Sequence, residues 1–227
     1  MRRPLLVIAA IMVGLFLLGA ISVPVLSRSD RTSDDLGERT VRRVEVSSER
    51  GAVRVRTGPP RVDARRTWIL SAPEVRHTVE DGVLRVDVTC PAWAFVSCSA
   101  DVDVQAPAEA AVRVRAVEGD VTVEGVRGVT DIESEDGAVE VREARAQRVL
   151  ARSITGSVRV AAERAPTLLQ ARSETGTVTV EVPSGPYRLR VDSGQGREVV
   201  RGVRSDPDAA RRLEASSGLR DVTVTGR

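Results

Sequence analysis

The 227-residue chain contains no lysine and no asparagine, one histidine, two cysteines and only 2% aromatic residues. Its 34 basic residues are therefore all arginine. The shortage of aromatic rings argues against a surface that stacks nucleic-acid bases. The single histidine means that any Ser-His-Asp or Cys-His chemistry must run through His77. Two cysteines and one distant histidine are too few for a structural zinc site. The formal net charge is +2, but Arg2, Arg3 and Arg28 all precede the first acid; from Asp30 onward 31 arginines meet 32 acids, a balance of −1. There is no basic stripe to attract a polyanion, and charges of both signs alternate as on a solvated face. What the chain has in quantity is valine, 39 residues by count. β-Branched side chains suit a pleated, half-buried surface, so this density predicts strands and excludes a helix bundle. The regular apolar pattern excludes a disordered chain.

Residues 4–26 carry no charge and one hydroxyl, Ser22. As a helix they would span about 34 Å, enough for a hydrocarbon core of about 30 Å. A cleaved secretory signal, the competing reading, has a shorter apolar region and a small-x-small site. Here Gly19-Ala20-Ile21-Ser22 lies buried inside the run. The expected organisation is a cytoplasmic stub over 1–3, a transmembrane anchor over 4–26, a linker over 27–40, and an extracytoplasmic β-repeat domain over 41–227. Arg2 and Arg3 before the span, against Arg28 and Arg31 diluted by Asp30, Asp34 and Asp35 after it, lean toward an inside N-terminus. Outside the cytosol Cys90 and Cys98, eight positions apart, are expected to form a disulfide.

From Val41 the chain becomes β-periodic, and a unit Ser-x-x-Gly-x-Val-x-Val recurs. It stands at Ser134–Val141, Ser153–Val160 and Ser173–Val180, with looser copies at Val117–Val123 and Ser217–Val224. Gly119, Gly137, Gly156 and Gly176 are 18, 19 and 20 residues apart, and Gly218 belongs to the last copy. Glycine at the turn is expected for its freedom to adopt positive φ. Each unit holds two strands and cannot bury its own apolar face, so units must stack. The period is too short for propeller blades. The expected fold is all-β: a β-solenoid or β-helix-like stack of two-strand repeats of about 19 residues, preceded by an N-terminal transmembrane helix. Successive arms of a β-sandwich are the alternative. Asp206–Glu214 reads as a short helix, with Asp206 as N-cap and Pro207 at its first position.

These features resemble the bacterial DUF4097 family, which carries an adhesin label. The resemblance rests on the Gly-x-Val-x-Val run over about 117–227 and on Cys90-Pro91…Cys98-x-x-Asp101-Val102-Asp103-Val104…Pro107. A late Asp206-Pro207-Asp208 before the last strand also matches. The resemblance implies a repetitive β domain at the cell envelope and supplies no catalytic residues, cofactor or metal.

Candidates for chemistry are sparse. His77 alternates with valines and is expected on a strand surface. Glu133-Ser134-Glu135-Asp136-Gly137 lacks the spacing of a calcium loop and reads as a solvated turn. Gly194-Gln195-Gly196 lacks the third glycine of a dinucleotide loop. Asp101 and Asp103 share a strand face at a separation compatible with glycosidase carboxylates, without aromatic rings beside them. Trp93 and Phe95, inside the Cys90–Cys98 loop, are the expected contact residues, or else a cap on the core. The leading expectation is a non-enzymatic, membrane-anchored envelope adhesin or scaffold that meets a cell-wall or surface component. The alternative is a regulatory ectodomain that binds a membrane protein in envelope-stress signalling. A hydrolase is the third reading.

Overall fold

A computed structural model describes residues 27–91 and 97–227. The expected span over 4–26 lies outside the described residues, and among the described residues no helix is long and apolar enough to cross a membrane. The chain is all-β. Its strands are β1 (Arg28–Asp35), β2 (Arg43–Arg50), β3 (Val53–Thr57), β4 (Arg61–Trp68), β5 (Glu74–Glu80), β6 (Val83–Thr89) and β7 (Cys98–Ala106). There follow β8 (Ala111–Glu118), β9 (Val121–Glu124), β10 (Thr130–Asp136), β11 (Val139–Ala144), β12 (Arg148–Ser153), β13 (Val158–Ala162), β14 (Leu168–Ser173) and β15 (Val178–Val182). The last five are β16 (Gly185–Asp192), β17 (Glu198–Arg201), β18 (Val203–Ser205), β19 (Arg212–Ser217) and β20 (Val222–Gly226).

The strands form two ten-stranded sheets, ordered β1-β4-β7-β3-β9-β11-β13-β15-β20-β17 and β18-β16-β19-β14-β12-β10-β8-β2-β6-β5. Each repeat lays its first strand in the second sheet and its second strand in the first. Because β8/β9, β10/β11, β12/β13 and β14/β15 follow one another in both sheets, neighbouring repeats pair in parallel. Ten strands at about 4.8 Å spacing make a stack about 43 Å long.

Register explains the valine count. Val139, Val158, Val178 and Val222 lie in line across the first sheet, and so do Val141, Val160, Val180 and Val224. In the second sheet Val149, Leu169 and Leu213 align, then Ala151, Ala171 and Ala215, then Ser153, Ser173 and Ser217. Side-chain size thus falls from Leu to Ala to Ser toward the short turn, where the two sheets converge. A core this narrow has little room for rings. Its aliphatic members are buried almost completely, each worth at most about 1.5–3 kcal/mol.

Two expectations are corrected. The stretch 27–40 is not an aperiodic linker, because Arg28–Asp35 pairs antiparallel with β4, from Arg28↔Trp68 to Asp35↔Arg61. Seven of the eight β1 residues are exposed. The strand is held through its backbone ladder, which leaves no hydropathy signal. Nor is Asp206–Glu214 a helix. Asp206 accepts the Asp208 amide (3.0 Å) in a turn, and the chain then extends as β19. Stacking of Leu213 and Ala215 on Leu169 and Ala171 overrides the local capping signal.

The chain order inverts at both ends. β6/β7 lies outside β2/β3, and β19/β20 inserts between β14/β15 and β16/β17. Leu36 and Val41 fold over the core at the β1 end, and Tyr187 closes the other end, its hydroxyl donating to the Pro183 carbonyl at 2.8 Å.

Candidate interaction surface

The turn joining the two sheets is built by serine and glycine together. Ser153 Oγ donates to the Gly137 carbonyl of the preceding repeat (2.8 Å) and accepts the Gly156 amide of its own turn (2.8 Å). Ser173 repeats this with Gly156 O (2.7 Å) and Gly176 N (2.8 Å). Ser217 Oγ donates to Gly176 O (2.8 Å). Each buried hydroxyl therefore satisfies one acceptor and one donor, as a buried polar group must.

All five glycines expected at the turns are needed for space, and Gly119 and Gly137 also for the positive φ expected from the sequence. Gly119 and Gly137 have φ of +142° and +156°, but Gly156, Gly176 and Gly218 are outside the left-handed region. A Cβ on Gly156 would lie 1.9 Å from Gly137 O, and one on Gly176 would lie 2.3 Å from Gly156 O. On Gly119 it would lie 2.2 Å from Gly51 O, on Gly137 2.1 Å from Gly119 O, and on Gly218 2.5 Å from Glu174 O. The turns stack backbone on backbone.

At this turn edge the ends of β2, β8, β10 and β12 form a groove of about 460 Å³. Val117 and Ile154, 47% and 39% exposed, give it an apolar floor. Arg115, Glu133, Glu135 and Arg152 flank them, with Arg115 paired to Glu133 at 3.2 Å and Arg152 to Glu174 at 3.9 Å. Such exposed pairs add little stability, so the side chains are free to re-pair with a ligand. Ser48 borders the groove, but its Oγ is buried beneath it without a hydrogen-bond partner.

The other candidates are occupied structurally. His77 is on edge strand β5, with Nε2 4.0 Å from Asp34 Oδ2 of β1. Asp101 Oδ1 accepts the Ala52 amide (2.9 Å), and Asp103 pairs with Arg56 (2.9 Å) and Arg54 (3.9 Å). Both border a second, charged groove of about 400 Å³ on the first sheet. Asp136 accepts the Thr155 hydroxyl at 2.7 Å. Among the described residues no group of three His, Cys, Asp or Glu could hold a metal. Gly194 and Gly196 lie in a turn packed on Gly218 and Arg220. The Gly37 amide and the Arg61 guanidinium hold the Asp35 carboxyl below its ordinary range, and Arg142 does so for Glu140.

Cys90 and Cys98 form a disulfide across the β6–β7 connection, where Val88 and Ala100 stand level with the motif residues Ser48 and Gly51. The Cys90 amide donates to Glu49 Oε2 at 2.7 Å. Trp93 and Phe95 of the expected contact loop lie outside the described residues. The sequence reading missed a full copy of the motif, Ser48-Glu49-Arg50-Gly51-Ala52-Val53-Arg54-Val55, which stacks on Ala116–Val123 although 68 residues separate Gly51 from Gly119. It also missed Val117 and Ile154, which occupy the position after the motif serine or its replacement, Ala116.

No protein-family profile and no curated protein matches the sequence. Solved structures share the fold, among them the following two. A "putative cell adhesion protein" from Clostridium sporogenes superposes with a TM-score of 0.55, covering 88% of this chain and 100% of its own at 8% identity. A "putative adhesin" from Bacteroides fragilis gives 0.51, covering 88% and 97% at 12% identity. At these identities the likeness is one of fold, and it extends over essentially the whole of each of those proteins.

Proposed function

We propose that this chain is an adhesin or scaffold of the cell envelope, held to the membrane by residues 4–26. In this reading its paired sheets are a short β-solenoid of the DUF4097 type. The observation that carries the proposal is the fold shared along the full length of the protein from C. sporogenes, whose name assigns it to cell adhesion. The stack offers what such a role requires: a rigid surface about 43 Å long, and a groove in which apolar Val117 and Ile154 sit among re-pairable charges. The ligand is a cell-wall or surface component.

Co-sedimentation of the protein in mild detergent with isolated cell-wall sacculi, and separately with protease-treated and untreated membranes, tests this. Saturable pelleting with sacculi, weakened by Ile154→Glu, is the expected result. Binding confined to untreated membranes would replace the adhesin reading with a regulatory ectodomain that has a protein partner.

A further inference from the structure

We propose that a three-stranded tip, carrying Trp68 and Leu70, docks on the lipid surface at the point where the chain leaves the fold. In register, Val53 at the start of β3 faces Val102, Val102 faces Ala64, and Ala64 faces Thr32. β7, β4 and β1 continue past that level to Cys98, Trp68 and Arg28, four residues each. At about 3.3 Å per residue the extension projects about 13 Å beyond the start of β3. Trp68 lies half-buried at its end, paired with Cys98 on one side and Arg28 on the other. Ile69 donates its amide to the Ser97 carbonyl (3.2 Å), next to the disulfide. Leu70 follows, 70% exposed, the highest value among the large hydrophobic residues described.

The occupant follows from where the apolar segment ends. Leu26 is two positions before Arg28. A span ending there puts Arg28, and with it Trp68 and Leu70, at headgroup level, where tryptophan is enriched. This step rests on the reading of residues 4–26 as an anchor. The extension carries Arg28, Arg31, Arg65 and Arg66 against Asp30 and Asp101, a surplus of two positive charges toward anionic headgroups. The acidic turn edge, with Glu118, Glu135, Asp136 and Glu174, stands back by only about two residues of strand, roughly 7 Å, because Gly51 at the turn is level with Ala100. That distance is within the Debye length of about 8–10 Å, so docking is carried by the apolar contact of Trp68 and Leu70 and not by charge. The tip meets lipid with the groove at Val117 and Ile154 set back from it by the same two residues.

The test uses the full chain with Trp93→Phe, which leaves Trp68 as its one tryptophan. It is reconstituted in phosphatidylcholine–phosphatidylglycerol vesicles whose phosphatidylcholine is brominated high on the acyl chains. Trp68 emission should be strongly quenched relative to ordinary lipid. Leu70→Glu should lower the docked population about tenfold or more, the equivalent of one leucine's transfer free energy, while leaving the circular dichroism spectrum unchanged. Equal emission in brominated and ordinary lipid, from a chain that resists alkaline carbonate extraction, overturns docking and leaves the anchor standing. Release by carbonate overturns the anchor, and the docking with it. Quenching that Leu70→Glu does not alter overturns the tip as the contact.

Discussion

Replacing Gly156 with alanine adds one methyl group where the structure has no room for it. The new Cβ would sit 1.9 Å from Gly137 O and 2.2 Å from its carbonyl carbon. An ordinary contact needs about 3.5 Å, so the two repeats must part locally by about 1.5 Å. The Val139 amide to Ser157 carbonyl bond, 2.9 Å, lies beside the contact and would be lost. The bond from Ser153 Oγ to Gly137 O is also exposed to the shift. Overpacking costs about 1–3 kcal/mol, and each lost buried hydrogen bond costs about 1 kcal/mol. The sum, about 3–5 kcal/mol, should appear in urea unfolding and as a fall in Tm of roughly 10 °C, at about 2–4 °C per kcal/mol. Gly37→Ala is the control. Gly37 has φ +61° and nothing within 4 Å of a built Cβ. That variant meets only the left-handed penalty, about 1 kcal/mol. If Gly156→Ala cost no more than Gly37→Ala, stacking distance would not be the reason for glycine in the motif.

Ser173→Ala strands the Gly156 carbonyl and the Gly176 amide and should cost about 1–3 kcal/mol. Ser48→Ala removes a buried hydroxyl with no partner and should be neutral or stabilising; paired urea curves separate the two. Replacing both Cys90 and Cys98 with serine frees a short loop, and the denaturation midpoint should fall by the equivalent of about 2.5 kcal/mol on the loop-entropy model. Burial raises the Tyr187 pKa above its ordinary 10.0. The unfolded chain therefore loses that proton first, and stability should decline as pH rises past 10. Because the chain has no lysine and one tyrosine, phenolate absorbance should follow this single group, and a folded-state midpoint at or below 10 would refute the assignment.

Much of the fold was legible because stacked repeats write their register into the sequence. Val158, Val160, Gly156 and Ser153 each face the same residue type in the next repeat, so a period near 19 maps directly to space. What remained hidden depends on contacts that are not periodic. β1 buries no side chain in the core, and its backbone pairing has no compositional trace. The copy at Ser48–Val55 matches the motif in full, but the insertion carrying β4–β7 separates it from its spatial neighbour. Asp206 did form the local bond its sequence suggests, and the strand that follows was decided by Leu169 and Ala171, some forty positions upstream in the chain. The groove was missed because Val117 and Ile154 read as ordinary members of a β pattern. Only the turn geometry shows that they point out of the core.

The inverted order at each end bears on why the stack stops. A column of parallel repeats would leave a complete unit at each end as a template for another copy. Here the N-terminal end of the first sheet is closed by β4 and β1 in antiparallel sense, and β1 carries five charged residues in eight with no apolar one. The same end of the second sheet is closed by antiparallel β5, with Glu74, Arg76 and Glu80 along it. At the far end the edges shorten to β17 and β18, four and three residues long. β1 offers no valine and no buried serine for the like-on-like stacking of valine and serine that stabilises the interior, and β5, β17 and β18 offer at most two valines each, set among charged residues. The features that make the interior regular are therefore reduced where regularity would let one molecule continue into the next.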